Sequence, residues 1–460
     1  MIENYKNKKV TVVGLGRSGR AAAEFLKDLG AEVKITEIKK DFELESKIDK
    51  LKKKNIRAEL GRHSKNFIQE ADLIVASPGV SEASLPLVWA REKGIPVTGE
   101  LELASRFVPC PVIAVTGTNG KTTTASLLGE ILKKRHKVEV AGNIGRPLSS
   151  LVPKLNKENL LVLEVSSFQL DRIKKFHPYI SVILNITPDH LDRYPNFEAY
   201  LSSKKRIFLN QGPGDYAIFP AGASYTELLI KEARCSHILF GNDLGLNPGI
   251  FYRDSSIWSS SNGSRRKILD GSVLKLKGDH NRQNIMAALA VAVILGETAE
   301  NISGVIKNFS GLEHRIEIVS KSGGVVFIND SKSTNVDSLI KAVQSFSSII
   351  LIAGGRDKGA DFTPAGVSIK ERVKQIILLG EAKEKLKDLW QNIRPVHLAK
   401  DLEEAVILAQ DIAQPGDCVL FSPGCSSFDM FRNFEERGKS FKEIVSKLHL
   451  TRLTNKPNYD

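Results

Sequence analysis

The chain has 460 residues, 42% hydrophobic and 26% charged, with a formal net charge of +13. That length is too great for one ordinary core and implies about three domains of a soluble globular protein. The positive charge admits nucleic acid, an acidic membrane surface or polyanionic small substrates. The lysines are dispersed, brief clusters such as Lys52–Lys54 aside, and no aromatic residues interleave with them. A solvated surface fits that pattern better than a nucleic-acid platform. Four cysteines (Cys110, Cys235, Cys418, Cys425) without CxxC spacing point to a reducing compartment. No apolar signal region or run of bilayer length is present, so a cytoplasmic, monomeric protein without membrane contact is expected.

Lys9–Gly19 reads KVTVVGLGRSG, a strand entering a glycine turn, followed by an Ala-rich helix over Arg20–Leu29. A second strand, Glu32–Thr36, ends at Glu37. Gly14, Gly16 and Gly19 meet the G-x-G-x-x-G spacing of a Rossmann-type turn, which holds a dinucleotide or any nucleotide diphosphate. The strand Asp72–Ala76 ends in Ser77-Pro78-Gly79, a second turn at the same sheet edge. Ligands of open parallel sheets sit at these carboxyl ends, so both turns should line one pocket. The first domain boundary is expected near Val108–Pro111, where two prolines flank Cys110.

Val112–Leu128, VIAVTGTNGKTTTASLL, runs from a β-branched strand through a glycine turn into a helix. That order makes a phosphate cradle: backbone N–H groups and the helix N-terminus face the anion, and Lys121 adds a full charge near the β- and γ-phosphates. The Thr122 hydroxyl is the natural Mg²⁺ ligand. Val115 stands where the usual pattern has its first glycine, and Gly117 and Gly120 remain. Ala141–Pro147 is a glycine-rich loop carrying one amide, Asn143, and reads equally as a plain turn or a site. Glu164 interrupts the apolar strand Leu160–Val165; buried there, it needs an ion pair or a metal, and its place near the phosphate loop favours Mg²⁺. Ile180–Ile186 is a strand ending in Thr187–Tyr194, where Asp189, His190, Asp192 and Arg193 cluster as a site. Lys204, Lys205 and Arg206 ride a helix over Phe197–Phe208. Gly212–Gly271 is polar and irregular, short strands and loops without evident chemistry. Gly278–Asn281 opens an alanine-rich core helix over Asn284–Leu295.

Past a second boundary near Ser310–Arg315, strands and helices alternate as in a parallel α/β domain. Strands are expected at Val325–Ile328, Ser348–Ala353, Gln375–Leu379 and Asp417–Phe421, with a helix from Val336. Three of these strand ends are polar, at Asn329–Asn335, Gly354–Lys358 and Ser422–Ser427, which solvated loops alone do not explain.

Together these segments resemble the Mur ligases, the ATP-dependent amide ligases of bacterial peptidoglycan synthesis. TGTNGKTT (Thr116–Thr123) is similar to that family's phosphate loop, which accounts for the missing first glycine. DHLDRYP (Asp189–Pro195), GLEHRIE (Gly311–Glu317), NDSKSTN (Asn329–Asn335), GGRDKGADF (Gly354–Phe362) and SPGCSSFDMFRNFEERG (Ser422–Gly438) resemble the branch that adds D-glutamate. The Asn-Pro-Arg motif of the branch adding diaminopimelate or lysine is not apparent. The resemblance implies an α/β fold of three domains: a Rossmann-like domain for the UDP substrate (1–110), a central P-loop domain for ATP (111–312) and a Rossmann-like domain for the incoming amino acid (313–460).

The implied reaction phosphorylates the alanine carboxylate of UDP-MurNAc-L-alanine, and the D-glutamate amine then attacks the acyl phosphate. Three anionic groups must meet, so cations and Mg²⁺ have to offset their repulsion. By that resemblance ATP lies on Gly117, Thr118, Asn119, Gly120, Lys121, Thr122 and Thr123, with Asn281, Arg315 and Asp330. The UDP substrate takes Gly14, Gly16, Arg17, Ser18, Glu37, Lys39, Ser77, Pro78 and Gly79, and its sugar or alanine end Asn143 and His190. Glu37 and Lys39 stand where well-known members carry Asp and Arg. D-Glutamate takes Lys332, Thr334, Lys358, Ser427 and Phe434, since lysines and hydroxyls suit a dicarboxylate. Lys121, Glu164, His190, Lys204, Lys332 and Lys358 form the catalytic set. Two Mg²⁺ ions fall to Thr122, Glu164, His190 and a carbamate that CO₂ forms on Lys204, with Lys205 beside it as the competing lysine. A sister ligase, a Rossmann dehydrogenase and a nucleic-acid-stimulated P-loop ATPase are the other readings. The dehydrogenase leaves the phosphate loop and the third-domain motifs unexplained, and the ATPase predicts stimulation by DNA or RNA with a salt-steep affinity.

Overall fold

Short runs rich in Val and Ile form the centres of three separate sheets, because β-branched side chains pack well on a pleated surface buried on both faces. The computed structural model describes residues 4–454 apart from 41, 144, 191–192, 243–244, 277 and 358. The first sheet is parallel throughout, in the order β3-β2-β1-β4-β5. Its strands are β1 (Lys9–Val13), β2 (Glu32–Glu37), β3 (Arg57–Leu60), β4 (Leu73–Ala76) and β5 (Val97–Gly99).

The second sheet comprises β6 (Val112–Thr116), β7 (Lys137–Gly142), β8 (Asn159–Glu164), β9 (Ile180–Ile183), β10 (Tyr216–Pro220), β11 (Ser236–Asn242), β12 (Gly249–Arg253), β13 (Ser256–Ser261) and β14 (Ser264–Asp270). Its order is β14-β13-β12-β11-β10-β9-β6-β8-β7, parallel except for the two hairpins that add β13 and β14. The short strands expected in 212–271 are present as β10 to β14, joined in a regular order. Both hairpin turns, Asp254-Ser255 (φ 47° and 53°) and Asn262-Gly263 (φ 49° and 79°), have positive φ at their two central residues. Asn-Gly is the strongest short hairpin signal. It was obscured because β14 opens with four exposed residues, Ser264–Lys267, and shows no apolar alternation.

The third sheet, in the order β15-β16-β20-β17-β18-β19, has β15 (Glu317–Ser322), β16 (Val325–Asn329), β17 (Ile349–Gly354), β18 (Val373–Leu379), β19 (Val396–Leu398) and β20 (Cys418–Gly424). Strand β15 is antiparallel, joined to β16 through Gly323-Gly324 at φ 58° and 77°, so this sheet is mixed and not wholly parallel. No helix among the described residues is long and apolar enough to cross a membrane.

Residue contacts gather the chain into two units. One holds Met1–Ile186, Glu198–Leu274 and Gln283–Asn308, and so both the first and second sheets; the other holds Thr187–Phe197, Lys275–Arg282 and Phe309–Asp460. Inside the first unit, buried charges bind the two sheets across the Val108–Pro111 connection. Glu102, fully buried, accepts from the backbone N–H groups of Lys174 (2.8 Å), Lys175 (3.0 Å) and Phe176 (3.0 Å) and pairs with Arg106 at 2.8 Å. Glu100 accepts from the Ser149 N–H and hydroxyl, both at 2.7 Å, and burial raises its carboxyl pKa. Arg172 donates to the carbonyls of Ser77 (3.2 Å) and Val80 (2.7 Å) and pairs with Glu82 at 2.7 Å. Glu102→Ala leaves three N–H groups, the buried one of Phe176 among them, without this acceptor and breaks the pair with Arg106, and a loss of about 3 kcal/mol in urea unfolding is expected. An unchanged midpoint would show that Glu102 does not join the two sheets.

Candidate active site

Strand β6 is buried along its whole length and delivers Thr116 to the phosphate loop. Gly117 (φ 155°) and Gly120 (φ 88°) adopt backbone angles that side chains resist, and a Cβ on Gly120 would stand 2.1 Å from the Asn284 Oδ1. The loop is pinned from behind by Asn185, whose carbonyl accepts from Thr118 N–H (2.8 Å) and whose amide exchanges bonds with the Asn119 N–H (2.9 Å) and C=O (3.0 Å). Helix Lys121–Leu132 then begins at Gly120 with no side-chain cap. Some helices carry side-chain caps, such as the reciprocal Ser166–Gln169 and Asn335–Ser338 boxes, and others, such as Leu85–Glu92, start without one as this helix does. An uncapped start leaves outward N–H groups and a positive dipole end for an anion. Lys121 folds over the loop, its ammonium donating to the carbonyls of Gly117 and Thr118 at 2.8 Å each.

Lys204, the lysine that the family resemblance selects, and its neighbour Lys205 part company here. Lys204 is 1% exposed, donates to the Gly117 carbonyl at 2.9 Å and lies 4.6 Å from the centre of the buried Tyr200 ring. Lys205 turns outward to Glu232 at 2.7 Å. Glu164 closes β8 beside Val115 of β6 and is 3% exposed. One of its oxygens accepts from the Asn143 amide at 3.1 Å; the other, Oε2, is buried without a hydrogen-bond partner. Such an orphaned carboxylate oxygen beside a phosphate loop fits a divalent cation. Thr122 stands in the first turn of the loop helix, and Thr123, 1% exposed, packs inward.

In the first sheet Gly14 (φ 97°) turns the chain, and a Cβ on Gly19 would stand 1.9 Å from the Gly14 carbonyl oxygen. Glu37 accepts from the Leu15 N–H and the Lys39 N–H, both at 2.9 Å, so its carboxylate shapes the turn. Gly16 is the uncapped start of helix Arg17–Asp28, which carries Ser18 in its first turn. The Ser77 hydroxyl donates to the Gly14 carbonyl at 3.2 Å, linking the two turns, with Pro78 and Gly79 following at the end of β4. Arg17 reaches the Gly145 carbonyl at 3.5 Å.

His190 belongs to the second unit, in a left-handed conformation (φ 56°), and lines a cavity of about 350 Å³ together with Asp189, Thr334, Asn335, Arg356 and Cys425. Asn335 caps its helix through Oδ1 and donates from Nδ2 to Asp189 at 3.0 Å. Burial pushes the Cys425 thiol up to about 12, so it stays protonated. Of the residues expected to hold D-glutamate, Thr334 lines this cavity. Lys332 instead lies 4.2 Å from the Phe434 ring centre, and buried Ser427 accepts through its carbonyl from Met430 and Phe431. Lys358 lies outside the described residues, as do Leu191 and Asp192 of the DHLDRYP segment.

At the head of β16, Asp330 is 5% exposed; it accepts from the Ser422 hydroxyl (2.9 Å) and the Ile316 N–H (3.2 Å), and burial pushes its carboxyl up to about 7 despite Arg315. Arg315 stands between two residues held at positive φ, His314 (62°) and Ile316 (47°), a conformation costly for a β-branched side chain. Asn281 is 6% exposed in the first turn of helix Asp279–Ile294. Its neighbour His280 is pushed down to about 4 by burial, then by Lys341 and Arg315.

The sequence reading missed Asn185, Tyr200, Asn284 and Arg437. The last is 1% exposed and donates to the Ser331 hydroxyl (3.1 Å) and carbonyl (2.8 Å) and to the Cys425 carbonyl (3.1 Å). It thereby joins two polar strand ends; burial pushes even this guanidinium down to about 10. Its signal was its position within the Ser422–Gly438 motif.

Three family models match the chain in order: the N-terminal domain of MurD-like Mur ligases (residues 8–99), the Mur ligase middle domain (115–292) and the Mur ligase glutamate ligase domain (314–425). The chain belongs to the Mur ligase family. It is 45% identical over 444 residues to UDP-N-acetylmuramoylalanine–D-glutamate ligase of Geotalea uraniireducens, covering 96% of this chain and 98% of that protein. The enzyme of the same name from a Thermoanaerobacter species is 44% identical, with 96% and 99% covered. Among solved structures, UDP-N-acetylmuramate-alanine ligase of Thermotoga maritima superposes with a TM-score of 0.61 at 20% identity, over 96% of this chain and 100% of that one. The MurF ligase of Thermotoga maritima, in complex with ADP, gives 0.58 at 19%, over 97% and 98%. These distant structures share the three-domain fold.

The folded chain keeps the Asp330 proton to about pH 7, against 3.8 for an ordinary aspartate, so this group's stabilising contribution is full below 3.8 and is lost as pH rises through about 7. The slope is at most about 1.4 kcal/mol per pH unit. Urea midpoints at pH 5 and pH 8 should therefore fall less in Asp330→Asn than in the parent. Equal falls would mean that Asp330 is ionised throughout.

Proposed function

We propose that this chain joins D-glutamate to UDP-N-acetylmuramoyl-L-alanine, using ATP, in cytoplasmic peptidoglycan precursor synthesis. The observation carrying this reading is the end-to-end match, at 45% identity, to ligases named for that reaction. The phosphate loop supplies the chemistry: its outward N–H groups and Lys121 hold the ATP phosphates while the alanine carboxylate attacks the terminal phosphorus. ADP leaves, the D-glutamate amine adds to the acyl carbon, and the tetrahedral intermediate collapses to amide and phosphate. Mg²⁺, when bound, offsets the charge of the phosphates, and Thr122 and Glu164 are the residues that would hold it. Asn143 keeps Glu164 aimed, leaving Oε2 for the cation.

Lys204 is the lysine proposed for carbamylation. Its amine is buried against the loop and donates to the Gly117 carbonyl, and CO₂ adds only to a neutral amine. Lys332, Thr334, Lys358, Ser427 and Phe434 are proposed to receive D-glutamate, and Asn281, Arg315 and Asp330 to complete the nucleotide site. Gly14–Ser18 and Ser77–Gly79 are proposed for the UDP end.

Phosphate release with ATP, Mg²⁺ and UDP-MurNAc-L-alanine is expected with D-glutamate and not with L-glutamate, L-lysine or no amino acid. Turnover with a different amino acid would move the chain to a sister activity. Lys204→Ala should lose about 100-fold or more in rate and recover in part with short-chain carboxylates, while Lys205→Ala stays within a few-fold. The reverse ranking would overturn the assignment of Lys204.

A further inference from the structure

The first sheet carries a charged cavity toward the end opposite its glycine turn. Strand β1 runs from Lys9 to Val13 and then into Gly14. Lys9 and Val13, four residue steps apart on β1, are separated by about 13 Å. Thr11, midway along β1, pairs in register with Lys34 of β2, and Lys34 with Arg57 at the start of β3. Around this row lies a cavity of about 250 Å³, lined by Lys9, Lys27, Lys34 and Arg57 together with Glu32, Glu70 and Asn55.

Lys34 sits in the strand interior between Val33 and Ile35 and is 9% exposed. A buried ammonium in an apolar strand is costly unless a counter-charge reaches it. Here the counter-charge is Glu70, which accepts a hydrogen bond from the Lys34 ammonium while its own side chain remains 55% exposed. The Phe67 ring lies 5.2 Å from the same ammonium. Among the described residues the side chains of Lys9, Lys27 and Arg57 have no ion pair of their own. Lys9 and Arg57 are nonetheless close enough to help Lys34 hold the Glu70 carboxyl below its usual range. Four cations thus face one recess with two carboxylates, one of them shared and half in solvent.

We propose that this recess is a binding site for a small polyvalent anion of the phosphate class, such as inorganic phosphate or pyrophosphate. Its volume falls below the usual range of about 300–1,000 Å³ for organic ligands, so a whole nucleotide does not fit. A polyvalent oxyanion takes several charge-assisted hydrogen bonds from Lys and Arg donors at once, which a single carboxylate cannot match. Glu70 is the resident counter-ion that such an anion displaces. The site is distinct from the phosphate loop and from the Gly14–Gly19 turn, which occupy the carboxyl ends of their strands.

The test is calorimetric titration of the full chain with pyrophosphate and, separately, with inorganic phosphate, in the presence of saturating ADP, Mg²⁺ and UDP to fill the nucleotide sites. Binding is expected to persist there and to weaken steeply with salt. Arg57→Gln and Lys9→Gln, both at exposed positions, should each weaken it about tenfold, and Glu70→Gln should tighten it. The ratio of the two affinities tells which anion the recess prefers. Heat that vanishes once ADP and UDP are present, no binding of either anion, or equal affinity in the parent, Arg57→Gln and Glu70→Gln would each overturn the proposal.

Discussion

The phosphate loop depends on a helix that starts without a cap. At Lys121 the chain enters a helix straight from a left-handed glycine, which offers no side chain to cap the first backbone N–H groups. The residues around the loop hold that start in place. Asn185 takes the loop's inner donors, Asn284 packs where a Cβ on Gly120 would stand, and Lys121 and Lys204 occupy the Gly117 carbonyl. A loop so braced presents its donors to an anion with little reorganisation at the moment of binding, which is what electrostatic stabilisation of a transferring phosphoryl group requires.

Buried charges do most of the positioning elsewhere. Glu100, Glu102 and Arg172 weld the first two sheets into one unit, although the Pro-flanked connection between them looks like a linker. Arg437 and Asp330 perform the same service for the polar strand ends of the third sheet. Each of these groups carries several hydrogen bonds, as a charge removed from water must. Removing one partner leaves the others stranded, so these sites are specific as well as costly.

The loops that carry chemistry were readable because their residue types are tied to local geometry. Gly117, Gly120 and Gly14 take positive φ, and a β-branched strand before Gly-Lys-Thr leaves few other conformations. Glu164 was recognisable as an oddity, a carboxylate in an apolar strand, and proves buried with one oxygen unsatisfied. The hairpins of the second sheet were legible in principle through Asn262-Gly263, yet edge strands with solvent on one side lack the periodicity that marks a buried strand. Antiparallel β15 escaped for the same reason.

By itself the sequence determined the class of fold, the three sheets' central strands, the phosphate cradle and membership of the ligase family, because these rest on local backbone preference and on motifs of fixed spacing. Only the tertiary structure shows that Lys204 is the buried one of the pair and Lys205 the outward one, since adjacent helical residues point about 100° apart. It also decided that Glu37 shapes its own turn, that Asn143 steadies Glu164, and that Arg437 ties two strand ends together. Those pairings join residues far apart in the chain, and long-range packing, not local propensity, brings their charges within hydrogen-bond reach.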